Sequence, residues 1–130
     1  MVQKMKDEGY AYISEGALVV DVKEESDTKE VPPCMILKSD GASLYNTTDL
    51  ATIVWRMKDY HPDEIIYVVD KRQELYFTQV FRCARKTHLV NEDTIYLAQI
   101  NPYFLRLAED ILLNRCRRFS AIVALPGLAK

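Results

Sequence analysis

The sequence has few of the residues that build metal sites and disulfide frameworks. Its 130 residues include three cysteines and two histidines. Cys34, Cys83 and Cys116 are odd in number and far apart, and no pair of them has the spacing of zinc ligands. We therefore predict buried, reduced thiols and no metal site.

Long apolar runs and an excess of positive charge are missing as well. No run approaches the length of a membrane-spanning helix, and the N-terminal residues lack the apolar core of a secretion signal. The formal net charge is −2, whereas a free-standing nucleic-acid-binding protein normally has a basic excess. We expect a cytoplasmic protein with no membrane partner.

What the sequence does contain is typical of one globular domain. Hydrophobic residues make up 48% and charged residues 28%, so a chain of this length can bury a core. Residues 2–8 are predicted to be helical, with Gly9 as the stop. The apolar runs 17–22 and 34–37 predict two strands, which we expect to pair as an antiparallel hairpin with a long, charged loop.

The middle of the chain alternates helices with a buried strand. Thr47 or Thr48 is predicted to cap a helix that has Asp49 in its first turn and ends at 61–62. The continuous apolar run 65–69 is typical of a strand buried on both faces of a parallel sheet. A second helix is predicted at about 73–86. The expected inward-facing residues are Ile53, Val54, Met57 and Tyr60 on the first helix and Leu75, Phe77, Val80, Phe81 and Ala84 on the second.

The end of the chain follows a different pattern. Residues 95–100 fit either a strand or a helical turn, and Asn101-Pro102 begins a predicted helix that extends to about residue 119. The predicted fold class is α/β. It is a partial Rossmann-like core with a β-hairpin, a parallel strand with flanking helices, and a C-terminal helix.

The stretch 38–51, KSDGASLYNTTDLA, has more hydrogen-bonding side chains than a plain connection needs. Asp40-Gly41 supplies a turn, and a cluster of hydroxyl, amide and carboxylate side chains follows it. In open α/β folds, ligands bind beyond the carboxyl ends of the strands. The polar loops 38–48 and 70–73 lie where this rule places a ligand.

This stretch, together with IIYVVDKRQELYFTQVF at 65–81, closely resembles the catalytic domain of arginyl-tRNA synthetase, a class I aminoacyl-tRNA synthetase. The family pattern is K-S-D-G-A, then Y-x-T-x-D-x-A, then a strand and a helix that begins near a glutamine. The likeness extends from about residue 8 to about residue 90. It implies that residues 1–94 are part of the catalytic core and that 95–130 form a divergent, mainly helical segment.

The resemblance implies a binding site for the substrate arginine at Tyr45, Asp49 and Gln73. A guanidinium group is planar and always charged, and a carboxylate accepts two of its hydrogen bonds in parallel. The family usually has histidine near the bound nucleotide where this chain has Tyr76. The residues alone favour a structural role for each: Asp49 as a charge at a helix start, Tyr45 as a half-buried core aromatic, and Gln73 as an amide near a cap. With the resemblance, we favour the binding site.

The resemblance also implies ATP as a substrate and tRNA as a partner. Class I synthetases handle the ATP phosphates with an HxGH motif and a loop rich in glycine and lysine, and neither motif is in this sequence. We therefore expect no catalytic residue here, and a chain that is inactive in adenylation on its own. The alternatives are a stand-alone arginine-binding module and a structural module that forms a homodimer through the 101–119 helix.

Three basic residues of the second helix are spaced to share a face: Arg82, Arg85 and Lys86. In an intact synthetase, such a surface is a candidate for contact with tRNA. The negative net charge favours a solvated helix face instead.

Overall fold

The computed structural model describes the backbone of residues 1–100 and 122–124. In chain order its helices are α1 (Val2–Asp7), α2 (Tyr45–Tyr60) and α3 (Glu74–Lys86). Its strands are β1 (Ala11–Ser14), β2 (Ala17–Val20), β3 (Cys34–Leu37), β4 (Ile65–Asp70), β5 (Ile95–Ile100) and β6 (Ile122–Ala124). A single 3₁₀ turn at Lys71–Gln73 joins β4 to α3.

The first three strands form an antiparallel sheet in the order β1-β2-β3. The pairing of β2 with β3 across a long loop confirms the predicted hairpin. The strand β1 was not predicted. It pairs with β2 from Ala11 opposite Val20 to Ser14 opposite Ala17. Glu15 and Gly16 make the connection with φ values of 49° and 81°, a conformation that suits a two-residue hairpin loop.

The second sheet is parallel and has the order β5-β4-β6. Its centre is β4, which pairs with β5 from Ile65 opposite Ile95 and with β6 from Ile65 opposite Ile122. This confirms that the run 65–69 is a central strand of a parallel sheet. Residues 95–100 are a strand, and β6 was not predicted. The predicted helix at 101–119 lies outside the described residues.

Two details of the predicted helices are wrong. The helix α2 begins at Tyr45 with Leu44 as its N-cap, so Asp49 lies in the second turn and neither Thr47 nor Thr48 is the N-cap residue. Its C-terminal end at His61 is as predicted, since His61 adopts the left-handed conformation and Pro62 follows.

Tyr60 and Leu75 were predicted to face inward, and both are about half exposed. Tyr60 is the last residue of α2 and packs edge-on against Trp55 at the surface, with ring centroids 5.5 Å apart. Leu75 is two residues from the buried Phe77, which is about 200° around the helix. The other residues of the α3 prediction are buried.

The helix α3 occupies the centre of the core, where it contacts α2, β3 and β5. Its buried face meets side chains from both sheets in one continuous cluster. The cluster comprises Met5, Leu18, Val20, Val22, Cys34, Ile36, Leu50, Ile53, Ile65, Tyr67, Val69, Phe77, Val80, Phe81, Cys83, Ala84, Val90 and Ile95.

The opposite side of α3 holds the loop between β2 and β3. The Arg82 guanidinium donates to both carboxylate oxygens of Asp27, at 2.7 and 2.8 Å, and to the Val22 carbonyl at 3.2 Å. Lys86 Nζ donates to the Asp21 carbonyl at 2.7 Å, and Gln79 Nε2 donates to the Pro32 carbonyl at 2.8 Å. Both ends of the loop are therefore attached to one helix.

These contacts correct the prediction of a solvated basic face. Arg82 bonds to the loop, and its side chain is only 18% exposed. Arg85 donates to the Ile95 carbonyl at 2.7 Å, so it braces β5. The three basic side chains are used within the chain because neighbouring carboxylates and carbonyls lie within their reach.

We predict that the Arg82–Asp27 pair stabilises the fold in a pH-dependent way. The hydrogen bond from Arg82, followed by that from the Glu24 N–H, holds the Asp27 pKa below its ordinary value of 3.8. A carboxyl with a depressed folded-state pKa stabilises the fold at pH values above its unfolded pKa. That stability is lost as the pH falls through the lower folded value.

Arg82→Met should therefore lower the melting temperature at neutral pH, and the difference from wild type should shrink between about pH 5 and about pH 2. Circular dichroism melts across that range measure it. Glu25→Gln, an exposed change in the same loop, is the matched control. A difference that stays constant with pH would contradict the assignment.

Candidate functional site

The candidate site begins at a tight turn after β3. Gly41 N–H donates to the Lys38 carbonyl, and Lys38 N–H donates to the Ala42 carbonyl, both at 2.9 Å. The Asp40 carboxylate accepts from the Ala42 N–H at 2.9 Å. Gly41 has a φ of 80°, a conformation that glycine adopts without strain. The turn predicted at Asp40-Gly41 is confirmed.

Thr47 fixes the start of α2 against β3. Its hydroxyl donates to the Ile36 carbonyl and accepts from the Leu44 N–H at 3.2 Å. The next contact along this edge is from Asn46 Nδ2 to Cys34 Sγ, at 3.5 Å. Several polar side chains of the 38–51 stretch therefore stabilise the connection between β3 and α2. Tyr45 and Asp49 are left to face a cavity.

The cavity has a volume of about 350 Å³ and is lined by Tyr45, Asp49, Gln73, Tyr76 and Phe77. The four site residues predicted from the resemblance thus lie around one space, although they come from two helices. Tyr45 is 84% exposed at the rim, so it is not a core aromatic. Gln73 is the N-cap residue of α3 and makes no capping hydrogen bond with its side chain.

Tyr76 and Asp49 are joined directly. The Tyr76 hydroxyl donates to Asp49 Oδ2 and so links α3 to α2 across the cavity. Burial, followed by the hydrogen bond to Asp49, raises the pKa of Tyr76 well above its ordinary value. The hydroxyl therefore stays protonated and remains a donor. The predicted position of Tyr76 beside a nucleotide stays a prediction.

Aromatic rings form the wall behind these polar groups. Tyr76 packs edge-on against Phe77 with centroids 5.0 Å apart, and Phe77 packs against Tyr67 at 5.3 Å. The Tyr67 hydroxyl accepts from Arg56 Nη1 at 3.1 Å. Burial is the main cause that raises the Tyr67 pKa. Sequence reasoning missed Arg56 and Tyr67, since one lies within a helix and the other within an apolar run.

A second cavity of about 550 Å³ lies on the other side of Tyr45. It is lined by Lys38, Ser43, Leu44, Tyr45 and Thr48. Tyr45 is thus the wall that the two spaces share. No site residue was predicted there apart from Tyr45.

Two buried thiols lie close to the connection between β3 and α2. Cys34 and Cys83 are fully buried and not disulfide-bonded, and each thiol lies close enough to shift the pKa of the other. Contact with Cys83, and then with Asn46, lowers the Cys34 pKa, whereas contact with Cys34 and burial raise that of Cys83. The prediction of burial is confirmed for these two thiols, their reduced state stays a prediction, and Cys116 lies outside the described residues.

The first cavity suits a cationic ligand. Among the lining residues that the structure describes, Asp49 carries a charge, and two phenols, an amide and a phenyl ring accompany it. The Asp49 carboxylate would repel a polyphosphate, and none of the described lining residues is cationic. Within the part of the chain that the structure describes, no three histidine, cysteine or acidic side chains are grouped to hold a metal ion. None of the described helices is long and apolar enough to cross a membrane.

Comparison with known proteins gives consistent results. Residues 1–112 match the family described as "tRNA synthetases class I (R), catalytic domain". The arginine–tRNA ligase of Agathobacter rectalis is 67% identical over 94 residues, which are 72% of this chain and 16% of that protein. The arginine–tRNA ligase of Alkaliphilus oremlandii is 59% identical over 93 residues, again 72% of this chain and 16% of that protein. The chain therefore spans about one sixth of the length of these relatives.

A solved structure shows the same fold. The arginyl-tRNA synthetase from Plasmodium falciparum superposes with a TM-score of 0.63 at 20% identity, covering 89% of this chain and 22% of that one. The predicted fold class, α/β with a partial Rossmann-like core of the class I synthetase type, is confirmed. The division into 1–94 and 95–130 stays a prediction.

We predict that Thr47→Val destabilises the fold by about 1–2 kcal/mol, because it leaves the Ile36 carbonyl and the Leu44 N–H without their partly buried partner. Urea unfolding measures this change. Thr48→Val is the matched control, since the Thr48 hydroxyl is exposed and bonds only within its own helix, at 3.3 Å. Equal effects of the two changes would contradict the role given to Thr47.

Proposed function

We propose, since the chain belongs to the class I arginyl-tRNA synthetase catalytic-domain family, that it is the part of that domain that binds the substrate arginine. Asp49 pairs with the guanidinium group, and Tyr45 and Gln73 complete its hydrogen bonds. The observation that supports this assignment is the cavity that these three residues line together, with the Asp49 carboxylate as a countercharge for a cation.

The chemistry of the lining favours a guanidinium over other groups of similar size. The Asp49 carboxylate supplies the countercharge and accepts two parallel hydrogen bonds. The Gln73 amide oxygen and the Tyr45 phenol oxygen are neutral acceptors, so they add contacts without adding charge. The rings of Tyr76 and Phe77 line the same space and offer flat surfaces to a planar cation.

The whole reaction needs more than this cavity offers. Formation of an aminoacyl-adenylate is an attack by the arginine carboxylate on the ATP α-phosphate, and developing negative charge must be stabilised. We propose that ATP and tRNA are handled by parts of the synthetase outside this cavity. A cytoplasmic location goes with that role. A homodimer through the 101–119 helix stays a prediction.

A second candidate function is an arginine-binding module that works without catalysis. The same observation favours it, because all the proposed arginine contacts lie within this one chain. The two functions differ in the chemical step after arginine has bound. An assay of arginine adenylation separates them.

We predict that L-arginine raises the melting temperature of the protein and that L-citrulline, its uncharged isostere, does not. A ligand that binds only the folded state stabilises it in proportion to the logarithm of its concentration over its Kd. Asp49→Asn should weaken arginine binding about tenfold or more, because hydrogen bonds to charged groups contribute about 1.5–3 kcal/mol.

Asp59→Asn, an exposed change on the same helix, should leave the arginine response intact. Thermal melts over a series of arginine concentrations measure both variants. A wild-type protein that responds equally to arginine and citrulline, or to neither, would overturn the proposed site.

We also predict that this polypeptide alone supports no arginine-dependent exchange between pyrophosphate and ATP. The physical reason is that the sequence has neither the HxGH motif nor the loop rich in glycine and lysine that stabilise the negative charge of the ATP phosphates in class I synthetases. Radiolabelled pyrophosphate exchange measures it, with an intact arginyl-tRNA synthetase as the positive control. Exchange at a rate that Asp49→Asn abolishes would show that the polypeptide is itself catalytic.

A further inference from the structure

The hydrogen bond between Tyr76 and Asp49 gives Tyr76 a role that the resemblance did not assign. The donor is on α3 and the acceptor is on α2, and the bond uses Oδ2 of the carboxylate. Both residues line the cavity proposed for arginine. The bond therefore acts on the carboxylate that is proposed to pair with the ligand.

Packing against the aromatic core fixes the position of the Tyr76 ring. Its ring is edge-on to Phe77, which is 1% exposed and packs in turn against Tyr67 and Phe81. The hydroxyl is thus attached to the core through a rigid ring rather than a flexible chain. A carboxylate that accepts from such a donor loses much of its freedom to rotate.

A carboxylate of fixed orientation discriminates between cations. A guanidinium forms two parallel bonds with it only when the two groups are coplanar, whereas an ammonium group is a point charge that accepts any orientation. Fixing the plane of Asp49 therefore favours a guanidinium more than it favours an ammonium. The bond leaves Oδ1 open, and Oδ2 still has a second lone pair.

We propose that Tyr76 is a positioning residue that orients the Asp49 carboxylate and so makes the cavity select guanidinium ligands over ammonium ligands. This inference rests on the proposed function of the cavity. Tyr76 acts through Asp49 in this role. It is therefore a determinant of specificity and not a catalytic residue.

The test compares the Kd values of L-arginine and L-lysine, obtained from thermal melts over a series of ligand concentrations, in wild type and in Tyr76→Phe. The substitution removes the hydroxyl and keeps the ring that packs on Phe77, so the variant should fold. We expect the preference for arginine over lysine to fall about threefold to tenfold, because one charge-assisted hydrogen bond that orients the carboxylate is lost.

Two further variants sharpen the comparison. Tyr12→Phe removes an exposed hydroxyl on the antiparallel sheet, away from the cavity lining, and should leave the preference unchanged. Tyr76→His restores an N–H donor on a ring and should recover most of the preference. A purely structural role for Tyr76 would weaken both ligands alike and would leave their ratio unchanged.

The outcomes separate this inference from the proposed function. If Asp49→Asn abolishes the arginine response but Tyr76→Phe leaves the ratio unchanged, the inference is overturned and the proposed function stands. The same holds if the ratio falls in Tyr76→Phe and stays low in Tyr76→His. If wild type does not respond to arginine, the proposed function is overturned, and the inference is overturned with it.

A measurement without ligand checks the bond itself. Melts of Tyr76→Phe, Asp49→Asn and the double variant form a double-mutant cycle. We expect the effects of the two single changes on stability to be non-additive. Strict additivity would mean that the two side chains do not interact, and it would overturn the inference whatever the ligand data show.

Discussion

The packing of α3 between the two sheets is the constraint on which the rest of the structure depends. Its apolar face contacts strands of both the antiparallel and the parallel sheet, and it also meets α2. Full burial of one large apolar side chain contributes about 1.5–3 kcal/mol, and α3 buries Phe77, Val80 and Phe81 completely or nearly so. Partly exposed ion pairs contribute much less. The core therefore sets where α3 lies, and the contacts of Arg82 and Lys86 follow from that position.

The same packing fixes the positions of the side chains that line the candidate site. Gln73 and Tyr76 are at the N-terminal end of α3, and Asp49 is on α2, whose start is bonded to β3 through Thr47. Both helices are thus anchored before any ligand arrives. A site built on such helices keeps its geometry better than one built on loops. The packing of the two helices therefore brings together residues that are far apart in the sequence, so that they line one cavity.

Local pattern predicted much of the fold, and long-range contact explains the rest. The run 65–69 is continuous and apolar, so its place at the centre of a parallel sheet was readable from the residues.

The strand β1 was missed because AYIS has no clear alternation, and its partner residues come from β2. The start of α2 was misplaced because Thr47, a good N-cap residue, lies inside the helix, where its hydroxyl accepts from the Leu44 N–H and donates to the Ile36 carbonyl of the preceding strand. The site residues came from the family resemblance, since residue pattern alone left each of them with an ordinary structural reading. The bond between Tyr76 and Asp49 spans 27 positions and had no local signal.

The loop between β2 and β3 shows what an attachment at both ends permits. Lys86 and Arg82 hold its beginning, the Arg82–Asp27 pair holds its middle, and Gln79 holds its end at Pro32. The exposed residues 28–30 lie between two of these anchors. Adding residues there would lengthen only a solvated bridge, and the entropic cost of a longer loop grows slowly with its length. This short bridge is thus a place where an affinity tag or a fluorescent reporter can be inserted without disturbing the cavity lined by Asp49 and Tyr76.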